Sequence, residues 1–180
     1  KAAGLKPGDV TLVNLRPQEM LPAMAAGSID AFDSWEPHIA NARKALGESA
    51  VLLDTKGLYS ETFNIVVTRP YLDANGALVD KFLRALLEAE AWLKSNPDQA
   101  IATIADAVGM KRDDLAAIWP DYVYRVRIDD QLLGILKTHA AWRLATGNPP
   151  PGAVMPDFSK VLVPGPLRTI DPARVTVSGN

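Results

Sequence analysis

Apolar residues change their spacing along this 180-residue chain, and the change divides it in two. Short β-branched runs come first. The stretch "VTLVNL" (10–15) is apolar on both faces, as a buried parallel strand is, and "SIDAFDSW" (28–35) and "AVLLD" (50–54) read as further strands. Between them lie two runs with helical spacing. In "RPQEMLPAMAAG" (16–27), Met20, Leu21 and Met24 share a face, Pro17 suits a first turn and Gly27 suits a C-terminus. Pro22 would delete one interior hydrogen bond, which puts the helix start near Met20. In "PHIANARKALG" (37–47), Pro37 opens a second helix and Gly47 ends it. Strand, helix, strand, helix, strand within about 45 residues predicts a parallel α/β unit with right-handed crossovers.

After "TKGLYSE" (55–61) the pattern shifts. "TFNIVVTRP" (62–70) reads as one more strand, stopped by Arg69 and Pro70, and from Ala77 onward the helical period takes over. Leu78, Phe82, Ala85, Leu86 and Ala89 form one stripe. Asn96 and Pro97 start "PDQAIATIADAVG", and "KRDDLAAIWPDY" and "DDQLLGILKTHAAWRLATG" supply two more helices. The tail from Asn148 is crowded with proline and glycine and is expected to run over the surface, with "FSKVLV" (158–163) as its candidate anchor. The apolar stripes of these helices need a sheet or other helices to cover them. Unless these helices pack mainly on each other, part of that partner is expected to be missing.

Composition narrows the function classes. A net charge of −2 with mixed signs and no basic block argues against nucleic-acid binding. The absence of cysteine excludes disulfides, thiolate metal sites and thiol nucleophiles. No apolar run approaches the roughly 20 residues of a membrane span. The chain opens on Lys1, and "KAAGLKPGDV" reads as the last turn of a helix closing at Gly4, so an upstream segment is expected, any signal peptide included.

Three phrases, in order, carry a resemblance: "GLKPGDVTLVNLRPQEMLPAMAAGSIDAFDSWEP", "GLYSETFNIVVTRPYLD" and "ALVDKFLRALLEAEAWLKSNPDQAIATIADAVGM". Together they resemble the second half of the periplasmic solute-binding proteins that serve ABC importers of aliphatic sulfonates, taurine, nitrate and thiamine precursors. The most specific part is the ordered set Gly4-Leu5-x-Pro7-x-Asp9-Val10, Val13-Asn14-Leu15-x-Pro17 and Ala23-x-x-Ala26-Gly27-x-x-Asp30-Ala31-x-x-x-Trp35-x-Pro37. The likeness covers roughly residues 1–145 and is weak in the tail. It implies an α/β, periplasmic-binding-protein-like (type II) two-lobed fold, incomplete as given, with a parallel sheet lobe followed by a helical segment. Residues 1–60 would be the C-terminal part of the second lobe. Residues 61–180 would be the crossing strand, the helices returning to the first lobe, and the proline-rich tail. The partners implied are a small-molecule ligand and the membrane subunits of an ABC permease, in the periplasm or in an exported, lipid-anchored form. Nucleic acid and a direct membrane span are not expected.

In an open parallel sheet, ligands sit beyond the C-terminal strand ends, where loops enter helix N-termini. "DAFDSWEP" is such a junction. The resemblance makes Trp35 the leading ligand contact, its ring shielding an apolar group, with Ser34 beside it; a core tryptophan is the alternative. Trp92, Trp119 and Trp142 sit in helical stripes and default to the core. Arg16 and Gln18 occupy the equivalent junction after the first strand, where a guanidinium beside a helix N-terminus can receive a carboxylate or sulfonate; a solvated arginine is the alternative. Asp33 would repel an anion unless it points away or receives a donor. Glu36 is read as complementing the positive end of the helix at Pro37. Tyr59, Ser60, Glu61 and Asn64 precede or open the crossing strand, where related proteins carry polar ligand contacts; for Ser60 and Glu61 a solvated turn is an equal account.

An enzyme reading has no residues to stand on. His38 and His139 lack metal-ligand partners at helical spacing, and there is no nucleophile elbow, phosphate loop or dinucleotide fingerprint. No cofactor, metal or catalytic residue is expected. The expected function is capture of a small organic or inorganic anion by hinge closure. The alternatives are an enzyme of the thiamine-pyrimidine-synthesis type, which resembles these receptors but uses cysteines and histidines, and a ligand-sensing module fused to a signalling domain.

Overall fold

Proline, threonine and asparagine decide where the helices of this chain begin and end. The computed structural model describes residues 4–53, 55, 57, 60–146 and 149–178. Two compact units divide it. The first is Lys1–Tyr59 with Ala116–Ile118, and the second is Ser60–Leu115 with Trp119–Asn180.

In the first unit, a 3-10 turn at Pro7–Asp9 precedes helix α1 (Pro17–Ala25), and α2 (His38–Leu46) follows. The two helices pack on each other. Helix α1 starts at Pro17 and runs through Pro22, not from Met20 as the sequence suggests. Its first turn is already closed by Glu19, so the bond lost at Pro22 does not delay the start. Gly27 and Gly47, at φ 69° and 57°, take the positive angles that a side chain disfavours as the chain leaves each helix.

The second unit is built on α3 (Arg69–Ser95). This helix begins eight residues before the expected Ala77, because Thr68 caps it, accepting the Tyr71 N–H at 3.3 Å. Asn75 leaves helical geometry at φ −129° and ψ 28°, and its side chain donates to the Tyr71 carbonyl at 3.0 Å. The periodic stripe from Ala77 is therefore the straight part beyond a kink. At Asn96 both the backbone N–H and the side-chain amide donate to the Trp92 carbonyl, and Pro97 opens α4 (Pro97–Val108) against α3. Helix α5 (Arg112–Ile118) ends in the three residues assigned to the first unit, and α6 (Asp130–Thr146), α7 (Phe158–Val161) and α8 (Gly165–Ile170) follow in the second. Helix α8 packs on α3, and α7 on α6.

The expected strands do not form among the described residues. Runs 10–15, 28–35, 50–53 and 62–67 carry no strand, and the sole β contact among the described residues is an isolated parallel bridge between Ile128 and Val175. A parallel strand exists only through its neighbours, and no described segment lies alongside these runs to pair with them. Their apolar side chains are consequently open, with Leu12 88% and Val51 80% exposed. The same shortage of cover corrects the tryptophans. Trp92 and Trp142 are exposed rather than core, and Trp119 is half-buried with its ring 4.5 Å from that of Tyr124.

The tail is fastened more firmly than its composition suggests. Phe158 is buried, as befits the expected anchor, and so are Leu167 and Val177. Arg174 donates to Glu90 of α3 at 2.6 Å, to Asp171 at 2.9 Å and to the Val126 carbonyl at 3.0 Å, while Glu90 accepts the Val126 N–H at 2.8 Å. Ile128 exchanges backbone bonds with Arg174 and Thr176, and Asp130 accepts both the N–H and the hydroxyl of Ser178.

Candidate functional site

Helix α1 brings Arg16 and Gln18 into one turn, at the N-cap and the second helical position, and both are exposed. The Arg16 N–H donates to a Glu19 carboxylate oxygen at 2.9 Å, and the Glu19 N–H returns to the Arg16 carbonyl at 2.8 Å. A carboxylate thus already meets the positive end of α1.

The same device recurs at α2. Glu36, half-buried, accepts the Ala40 N–H at 2.8 Å, as its reading as a helix-end complement requires. Just before it, Asp33, Ser34 and Trp35 form one extended approach to the helix. Asp33 is exposed. The Trp35 ring is 55% exposed and stands edge-on to His38, with centroids 5.9 Å apart at 82°. The Ser34 hydroxyl oxygen is buried without a hydrogen-bond partner among the described residues, a state that costs about 1–3 kcal/mol when left unmet. This junction therefore offers an open aromatic face, an unmet hydroxyl and two carboxylates, one of them committed to the backbone. Among the described residues no ion pair joins Arg16 to Asp33 or Glu36.

In the second unit Ser60, Glu61 and Asn64 are exposed, and the Asn64 amide donates to the Thr62 hydroxyl at 3.1 Å. Tyr59 lies outside the described residues. The second unit also contains a groove of about 940 Å³ that the sequence did not announce. Its walls are apolar, with Phe63, Ile65, Phe82 and Leu136 among them, and Arg69, Arg125 and Lys160 border it. The signal lies in the conjunction of the Leu78 and Phe82 stripe with the apolar run 62–67, which line the groove together.

Titration is perturbed in the second unit, around the tail contacts. Burial pushes the Glu90 carboxyl up, but the Arg174 hydrogen bond, the Val126 N–H and the charges of Arg174 and Arg125 together outweigh it and hold it below its ordinary value. Bonds from Ser178 lower Asp130, and bonds from Ser159 lower Asp157. Among the described residues no group of three or more acidic or histidine side chains is placed to hold a metal ion, and no helix is long and apolar enough to cross a membrane.

Comparison with known proteins identifies the family of the chain. A protein of Escherichia coli (strain K12) named for binding aliphatic sulfonates is 31% identical over 117 residues, covering 65% of this chain and 36% of the relative. A protein of Bacillus subtilis (strain 168) named in the same way is 31% identical over 99 residues, covering 54% and 30%. The taurine-binding periplasmic protein of Escherichia coli (strain K12) is 26% identical over 125 residues, covering 64% and 38%. The chain spans about a third of the length of these curated relatives. No solved structure gives a match of similar significance. The resemblance carried by the three phrases holds, since the relatives come from the solute-binding group. The profile of the NMT1-like family, which implies a periplasmic-binding-protein-like fold, matches residues 1–109, more than half of the sequence, and the chain belongs to that family.

Proposed function

We propose that this protein is the solute-receptor component of an ABC importer, working in the periplasm and presenting a small organic anion of the sulfonate or taurine type to the permease. Residues 1–60 belong to one ligand-binding lobe. Residues 61–180 contain the crossing to, and helices of, the other. Capture works by hinge closure: ligand contacts stabilise the closed arrangement relative to the open one, and no bond is broken.

The observation that carries this reading is the exposed Trp35 indole just before α2, beside a buried hydroxyl that has no partner among the described residues. The ring covers the ligand's carbon chain, and the indole N–H offers a donor to its oxygens; the buried Ser34 hydroxyl reaches the ligand only if its surroundings shift. Arg16 supplies the positive charge. Because Glu19 and Glu36 already complement the two helix ends, the anionic group is held by side chains rather than by helix dipoles. Asp33 receives an amine where the ligand has one. Gln18 adds a polar group on the same helix as Arg16, and Tyr59, Ser60, Glu61 and Asn64 are further candidate contacts in this reading.

Calorimetric titration with taurine, ethanesulfonate and nitrate tests this. Saturable heat is expected with at least one of them, and Trp35→Ala weakens that binding about tenfold, or about 1.4 kcal/mol. No heat with any of the three, or full affinity in Trp35→Ala, overturns the assignment.

A further inference from the structure

Asn75 is followed by Gly76, and no other asparagine of the chain precedes a glycine. The pair sits where α3 bends. Asn75 lies outside helical geometry at φ −129° and ψ 28°, while the helix continues on both sides of it. We propose that Asn75 is a site of spontaneous deamidation, its side-chain amide converted to a carboxyl through a cyclic imide closed by the Gly76 backbone nitrogen.

Ring closure needs the Asn75 ψ to turn until the next backbone nitrogen reaches the side-chain Cγ. A regular helix resists this, because its hydrogen-bond ladder holds ψ near about −42°. At Asn75 that hold is already broken. Glycine at the attacking position has no Cβ to hinder the approach and the widest choice of backbone angles. The helical stretch 69–74 ahead of the bend is less than about two turns long, so it opens more readily than the straight part beyond. Its local ties are the Thr68 cap and the bond from the Asn75 amide to the Tyr71 carbonyl at 3.0 Å. In the reaction the Gly76 nitrogen gives its proton to water and bonds to Cγ, the Cγ–Nδ2 bond breaks, and ammonia leaves. Water then opens the imide at either carbonyl, giving aspartate or isoaspartate, whose main chain runs through the side-chain carbon. Both products put an acceptor where a donor had held the Tyr71 carbonyl. The bend is loosened as a result.

Incubation of the 180-residue chain in warm neutral buffer, followed by digestion and peptide mass spectrometry, tests the assignment. The peptide carrying Asn75 is expected to gain the mass difference between an amide and an acid, and to separate into aspartyl and isoaspartyl forms. Asn41 and Asn64 serve as controls within the same digest and stay unchanged over that period. Gly76→Ala is the informative variant, since a Cβ there meets no other segment within 4 Å among the described residues and the helix tolerates it. It slows conversion severalfold. Conversion at Asn75 no faster than at Asn64 overturns the proposal, as does a Gly76→Ala variant that converts at the parental rate. So does an intact Asn75 in the folded chain under conditions that convert a free peptide of residues 71–80. The urea midpoint of converted protein is expected to fall below that of fresh protein, and equal midpoints would overturn the loosening. Solute binding is read separately by calorimetry, so either reading can fail without the other.

Discussion

Single carboxylates do much of the positioning in this chain, and two of them make distinct predictions. Glu36 holds the Ala40 N–H, so Glu36→Ala is expected to destabilise the protein by about 1 kcal/mol, and Glu36→Gln, which keeps an acceptor, by less. Urea midpoints of the two variants check this; equal losses would mean that charge, not the hydrogen bond, is what α2 uses. Glu90 behaves differently, because its carboxyl titrates below the ordinary 4.5 in the folded state. A depressed folded value means that the unfolded chain takes up the proton first as pH falls. Its stabilisation is thus whole above about pH 4.5 and is lost as pH drops through the folded value. Glu90→Gln should therefore cost about 2 kcal/mol at neutral pH, since it weakens a charge-assisted bond to Arg174 in a partly buried setting, and the gap to the parent should close below pH 4.5. Denaturation at the two pH values measures the gap, and a constant difference would contradict it.

At the scale of elements, the helices were legible and the strands were not, for one physical reason. A helix satisfies its own backbone, so proline, glycine and capping residues mark its ends within the local sequence. Helices α2, α4, α5 and α6 accordingly fall close to where the pattern puts them. Helix α3 was read short because "TFNIVVTRP" ends in proline, although a proline in the first turn beside a capping threonine opens a helix as readily as it stops a strand. The tail was read as loose because its ties are distant in sequence: Glu90 with Arg174, Ile128 with Val175, Asp130 with Ser178. Only Phe158 stood out locally. Phe158→Ala is expected to cost about 3 kcal/mol by emptying a buried site beside α6, seen as a lower urea midpoint. A loss under about 1 kcal/mol would show that the site collapses around the smaller side chain.

At the scale of the whole molecule, sequence identified the family more readily than it identified the packing. The ordered glycines, prolines and Trp35 in residues 4–37, from which the resemblance was read, lie inside the span 1–109 that the family profile matches. Of the candidate site, Trp35 and Glu36 were visible because a ring and an acid beside a helix-opening proline have few roles. The buried Ser34 hydroxyl was invisible, because burial of one oxygen depends on neighbours that no local pattern encodes. Among the described residues the buried apolar set contains no large side chain that is wholly enclosed, so the polar ties carry an unusual share of the cohesion. One of them has a further effect. Ile128 and the stretch from Arg174 to Thr176 clasp each other through two backbone bonds, with the intervening polypeptide forming a closed circuit. A protease that nicks the exposed stretch 152–154 would cut that circuit without parting the pieces, and the two fragments would remain together as a noncovalent complex.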